Sequence, residues 1–149
     1  VKAQQILGEV RLASTDTRVA PLIDPKYFTD PYDMETLVKG TQVALDIMAD
    51  PVFDPYRGDM LIHYDRDDPR QIEETLRRHA DTEYHPCGTA KMGPDSDPMA
   101  VVDSQLRVRG IYGLRIADAS VMPSITSGNI HAPVMMIAER ASDMILADA

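Results

Sequence analysis

Apolar and polar residues alternate at period two through Gly8-Glu9-Val10-Arg11-Leu12-Ala13-Ser14, the pattern of a strand with one buried face, and Ser14-Thr15-Asp16 adds turn chemistry after it. From Val19 to Tyr32, prolines at 21, 25 and 31 deny a helix its donors and favour extended or turn backbone. Because Leu22, Ile23, Tyr27 and Phe28 call for burial, this stretch reads as an ordered connection. Asp30 or Asp33 can cap a helix in which Met34, Leu37, Val38, Thr41, Ala44, Leu45 and Met48 recur at three- and four-residue spacing, ending before Pro51. A second helix is predicted from Asp67-Asp68-Pro69, with Glu73 and Glu74 near its start and Arg77 and Arg78 near its end, charges that match the helix dipole. A third starts near Ala132-Pro133 and carries Val134, Ile137, Ala138, Ala141 and Ile145 on one face. Between the last two, Ala100–Asp103, Leu106–Val108 and Leu114–Ile116 are short strand candidates separated by Gly110 and Gly113. No internal repeat or low-complexity segment interrupts the chain.

Composition narrows what this pattern can be. The 149 residues are 44% hydrophobic and 26% charged, enough for one core, so size alone predicts a single compact domain. Fifteen basic against 24 acidic residues give a net charge of −9, which argues against a nucleic-acid backbone as partner. The single cysteine, Cys87, excludes an intrachain disulfide and a cysteine-based zinc site, and points to a reducing compartment. No apolar run approaches the ~20 residues that span a bilayer, and Val1-Lys2-Ala3-Gln4-Gln5 shows no basic-then-apolar signal sequence. The expectation is a soluble, cytoplasmic chain whose first residues read as mid-domain sequence.

Candidate chemistry begins with absences. There is no G-x-G-x-x-G after a strand, no Walker-type loop and no G-x-S-x-G elbow. His63, His79, His85 and His131 form no zincin-type pair, so no metal site is expected. His63, in Ile62-His63-Tyr64, reads as a strand position, and His79 as a solvated helix end. His85 differs: in Tyr84-His85-Pro86-Cys87-Gly88-Thr89-Ala90-Lys91-Met92-Gly93, a proline and two glycines bend and hold the backbone around an imidazole. It is either a site residue or a hydrogen-bonded structural histidine. A second stretch, Asp118 to Pro133, runs from a strand end through small and polar residues to a helix start. It suits an anionic or electron-rich group at helix donors, or it is an elaborate cap.

Taken together, the two stretches resemble the C-terminal portion of the glucose-methanol-choline oxidoreductases, flavoenzymes that oxidise alcohols. The likeness is carried by His85-Pro86-x-Gly88-Thr89 with Met92-Gly93, Val101-Val102-Asp103, Leu106-Arg107-Val108-x-Gly110, Gly113 to Ser120, Met122-Pro123, and Ser127 to Pro133 with Ile137-Ala138-Glu139-Arg140. Upstream, Gly8 to Asp24 and the helix over Asp33 to Ala49 are similar to that family's substrate-domain strand and following helix.

The resemblance implies an α+β fold: an antiparallel sheet backed by helices, with 1–83 as part of the substrate-binding domain and 84–149 completing the FAD-binding domain. It implies His85 as the active-site base and Asn129 as the second catalytic residue. Asp118, Ala119, Asn129, Ile130 and His131 are implied as FAD contacts, and Cys87 as a small buried residue at a variable position. The family's glycine-rich turn for the FAD pyrophosphate has no counterpart here, so a separate N-terminal part is the expected partner, together with a small-molecule alcohol. With no tryptophan, two phenylalanines and six scattered tyrosines, no aromatic cage for a quaternary ammonium is evident. The other reading is a folded orphan module with idle site residues, which a colourless purified chain would favour over one with an alcohol-bleachable flavin band.

Overall fold

The computed structural model describes residues 8–148; the mid-domain reading of Val1–Gln5 lies outside them. The fold is α+β, with a two-stranded antiparallel sheet of β1 (Glu9–Arg11) and β2 (Leu22–Asp24) and the helices α1 (Pro31–Met48), α2 (Pro69–His79) and α3 (His131–Ala147). β1 is shorter than the alternation predicts, and its face is not buried: Val10, Leu12, Leu22 and Ile23 are all exposed. A ribbon of two short strands has no second layer of its own to cover a face. Pro21 and Pro25 flank β2, which places one strand inside the stretch expected to be connection only.

Two apolar clusters form where composition suggested one core, and the chain divides accordingly into Asp24–Thr82 and a second unit of Glu9–Ile23 with Glu83 onward. In the first unit, Asp30 is the cap that α1 uses. Its carboxylate accepts from Tyr32 N–H at 2.9 Å, and Pro31 presets the first helical φ. Asp33, the other cap candidate, lies inside the helix. It is buried, and loss of solvent followed by the charge of Asp30 pushes its carboxyl up from the usual carboxylate range. Asp68 caps α2 by accepting from Arg70 and Gln71 N–H, and Arg77, Arg78 and His79 occupy its last turn as the dipole favours. Met34 meets Ile72 and Leu76, with Phe28, Val38 and Tyr64 packed around them. The strand expected at Ile62-His63-Tyr64 is absent. This irregular segment is held instead by Gln71, which accepts from Asp65 N–H and donates to the His63 carbonyl.

In the second unit, Val102, Leu106, Val121, Met122, Ile130, Ile137 and Ala141 form the core. The buried stripe of α3 is Val134, Ile137, Ala141 and Met144, an i, i+3, i+7, i+10 series. Ala138 and Ile145, expected on it, face outward. The three strand candidates before α3 reduce to isolated bridges, Met92 with Val102, Val102 with Val108 and Arg107 with Arg115. Tight turns explain this. Leu106 N–H bonds the Asp103 carbonyl and Leu106 takes a φ of 63°, so the chain reverses before any ladder extends. At the far end of α3, Arg107 and Arg115 both bond the Asp148 carboxylate.

Candidate active site

His85 enters from a strained approach. Tyr84, immediately before it, has a φ of 60°, a left-handed conformation that costs a non-glycine residue roughly 1–2 kcal/mol. Beyond it, Gly88, Ala90 and Met92 N–H bond the carbonyls of Ala119, Ser120 and Val121 at 3.2, 2.9 and 2.8 Å. The histidine segment is thereby laced along the single helical turn Ala119–Val121. Gly88 is required in that lacing: its φ is +86°, and a Cβ there would stand 3.3 Å from the Met122 carbonyl oxygen. Cys87 packs against the core two residues after His85. Burial pushes its thiol up, so it sits as a small neutral side chain.

Asn129 arrives from the other direction. It is exposed, and the next residue, Ile130, is buried in the core and occupies the cap position immediately before α3. Before it, the Thr126 hydroxyl donates to the Gly128 carbonyl at 2.9 Å, shaping the loop. No side chain caps α3. Its first N–H groups, at Ile130, His131 and Ala132, therefore keep their capacity as donors, and Pro133 has none to satisfy.

These two anchored segments bring Asn129 Nδ2 to 2.7 Å from His85 Nε2 across 44 residues of chain. His85 is half-buried and Asn129 exposed, so one face of the pair is open. Of the other residues singled out from sequence, Ala119 is drawn to the histidine segment through its carbonyl. Asp118 spends one carboxylate oxygen on Ser120 N–H at 2.7 Å, leaving the second. Ile130 turns its side chain into the core and offers only backbone, while His131 is exposed in the first turn of α3. His63 and His79 belong to the other unit. Among the described residues no group of histidine, cysteine and carboxylate side chains could hold a metal ion, and no helix is long and apolar enough to cross a membrane. A groove of about 540 Å³ along α1 and α2, lined by Phe28, Met34, Val38 and paired charges, contains none of the candidate residues. Tyr84 is what the sequence pattern passes over: no composition signal marks a tyrosine for a left-handed φ, and only its place before His85-Pro86 hints at it.

The family model described as GMC oxidoreductase matches residues 4–138. The oxygen-dependent choline dehydrogenase of Rhizobium rhizogenes is 43% identical over 140 residues, and the choline oxidase of Arthrobacter globiformis 42% over 141; each match covers 93% of this chain and 26% of the relative. Among solved structures, pyridoxine 4-oxidase from Mesorbium loti superposes with a TM-score of 0.84 at 32% identity, covering 91% of this chain and 26% of that one. A formate oxidase from Aspergillus oryzae, studied for FAD modification, gives 0.80 at 31% identity, covering 95% and 25%. The chain thus spans about a quarter of the length of the relatives it matches. With nine-tenths of the chain aligned at such identity, and its fold superposing on theirs, this chain belongs to the GMC oxidoreductase family.

Proposed function

We propose that this chain supplies the active-site pair and the C-terminal part of the flavin site of an FAD-dependent oxidoreductase that converts an alcohol to a carbonyl. The observation that carries the reading is the 2.7 Å approach of Asn129 Nδ2 to His85 Nε2 with one face open. Residues 1–83 then form part of the substrate-binding domain and 84–149 complete the FAD-binding domain. Residues beyond this chain hold the FAD pyrophosphate.

The residues present suit a flavin. The uncapped start of α3 offers Ile130, His131 and Ala132 N–H groups, a donor set matched to an electron-rich ring edge. Asn129 and His131 would hold that edge, and Asp118 and Ala119, on the adjoining turn, would hold the ribityl side. Bound FAD supplies the hydride acceptor, at N5, and that chemistry is the cofactor's own. The protein's task is the proton. A hydride leaves a carbinol carbon with difficulty while the oxygen keeps its proton, because positive charge builds on the forming carbonyl. His85 takes the hydroxyl proton at Nε2, and the Asn129 amide donates to the oxygen as it becomes alkoxide-like without titrating itself. The imidazolium left behind favours negative charge in front of it.

The test is replacement in the enzyme joined to its flavin-binding part, with choline as the first alcohol assayed because two relatives are named for it. His85→Ala should slow flavin reduction by at least ~10²-fold, the lower range for losing a general base, with flavin content retained. Near-normal reduction would remove His85 from the chemistry.

A further inference from the structure

Within Asp24–Thr82, α1 is apolar over more of its circumference than α2 covers. With about 3.6 residues per turn, Met34, Val38, Thr41 and Leu45 fall on one side, where Met34 and Val38 pack with Ile72 and Leu76 of α2. Glu35, Lys39 and Asp46 make up a polar side. The third side is the row Asp33, Leu37, Gly40, Ala44 and Ile47, an i, i+4, i+7, i+11, i+14 series flanked by Val43 and Met48. Past Asp33 this side is open: every one of its residues is exposed, Val43 by 57% and Ile47 by 56%.

We propose that this third side of α1 is the seat of the enzyme's remaining polypeptide, and that an apolar element from outside this chain lies along it while the polar side stays in water. The proposal rests on the reading of this chain as part of a longer enzyme and is independent of the proton chemistry at His85. The matched relatives hold about three quarters of their length outside the region they share with this chain. From Asp33 to Ile47 the row runs about 21 Å at roughly 1.5 Å per residue, which suits a packed element better than a single side chain. Gly40 and Ala44 leave a dent in its middle, and a Cβ at Gly40 would meet nothing within 4 Å, so a large apolar side chain can enter there. Asp33, at the head of the row, is 8% exposed and its Oδ2 has no hydrogen-bond partner among the described residues. A carboxylate oxygen out of water calls for a donor, and the occupant is therefore apolar along its length with an N–H or O–H at the Asp33 end. A second copy of this chain fits less well, because two chains of net charge −9 repel and this side of α1 carries no basic residue to offset that.

The test is thiol labelling of the enzyme joined to its remaining part, with a maleimide as the probe and peptide mass spectrometry to read each site. Ala44→Cys reports on the third side and Glu35→Cys on the polar side. The expected result is ready labelling of Glu35→Cys, no labelling of Ala44→Cys while the enzyme is folded, and labelling of both after unfolding in urea. If Ala44→Cys does not assemble, Ile47→Cys takes its place, since it puts a smaller side chain on the same row. Labelling of the third side as fast as Glu35→Cys would show that face open and overturn the proposal. Protection that disappears on dilution to a monomer would assign the face to a second copy and overturn it equally. No alcohol enters this measurement, so a labelled third side leaves the base at His85 standing, and an active His85→Ala leaves a protected third side standing.

Discussion

Gly88→Ala isolates the backbone demand beside the candidate base. The added Cβ meets two obstacles: a φ of +86° and a Met122 carbonyl oxygen at 3.3 Å, which belongs to backbone and cannot rotate aside. Left-handed backbone costs an L-residue roughly 1–2 kcal/mol. Relieving the contact means lengthening the 3.2 Å bond from Gly88 N–H to Ala119, at about 0.5–1.5 kcal/mol. Alanine also restricts the unfolded chain, which offsets about 0.4–1 kcal/mol. The net expectation is destabilisation of about 0.5–3 kcal/mol. Gly40→Ala is the control, because Gly40 lies inside α1 and a Cβ there meets nothing within 4 Å. There the same change should stabilise by about 0.5–1 kcal/mol. Urea unfolding, with amide exchange to follow each unit separately, reads both. If Gly88→Ala is neutral or stabilising, the claim that the histidine segment depends on a left-handed glycine is wrong. Its structured product should also broaden or shift the His85 ring signals, whereas Gly40→Ala should leave them in place.

Two further outcomes concern stability. Ile72→Ala should cost about 2–5 kcal/mol, since Ile72 is fully buried against Met34 and Leu76 and its loss leaves a void between α1 and α2; a midpoint shift under a quarter of that in urea unfolding would contradict the packing. The Asp148 carboxyl is held below the usual range, first by Arg107 and then by Arg115. A depressed folded value contributes stability that is present above the unfolded value of about 3.9 and is lost as pH falls through the folded one. Asp148→Asn should flatten that part of the acid unfolding profile, and an unchanged profile would show that the clasp contributes nothing.

What the sequence makes legible is local. The three helices follow from caps and periodicity, and the boundaries move by three residues at most, where Asp30 outcompetes Asp33, and by one where His131 precedes Ala132. The His85 and Asn129 motifs stand out because proline, glycine and small polar residues cluster there for no helical or strand reason. Strands are harder to read. Leu106–Val108 and Leu114–Ile116 have strand composition, yet the left-handed turn at Leu106 and the reversals at Gly110 and Gly113 leave single bridges. Alternation in β1 predicts a buried face, but burial depends on what lies opposite, and period two alone cannot say whether anything does. The left-handed Tyr84 is equally silent, because tyrosine has no preference for that conformation.

The pairing of His85 with Asn129 follows from where core anchors fall. Cys87 and Ile130 are both packed into the same cluster, two residues after the imidazole and one after the amide. The backbone ladder from Gly88, Ala90 and Met92 to Ala119, Ser120 and Val121 fixes the first segment to the turn whose Val121 and Met122 lie in that core. Ile137 and Ala141 fix the helix that carries the second. Apolar burial is non-directional and would tolerate many arrangements. It is the combination of a hydrogen-bonded ladder on one side and a helix start on the other that reduces them to one, with two polar side chains left on the rim of a dry core. Built this way, the two side chains stand at the edge of the core while their backbones are held by residues packed in it or hydrogen-bonded along it.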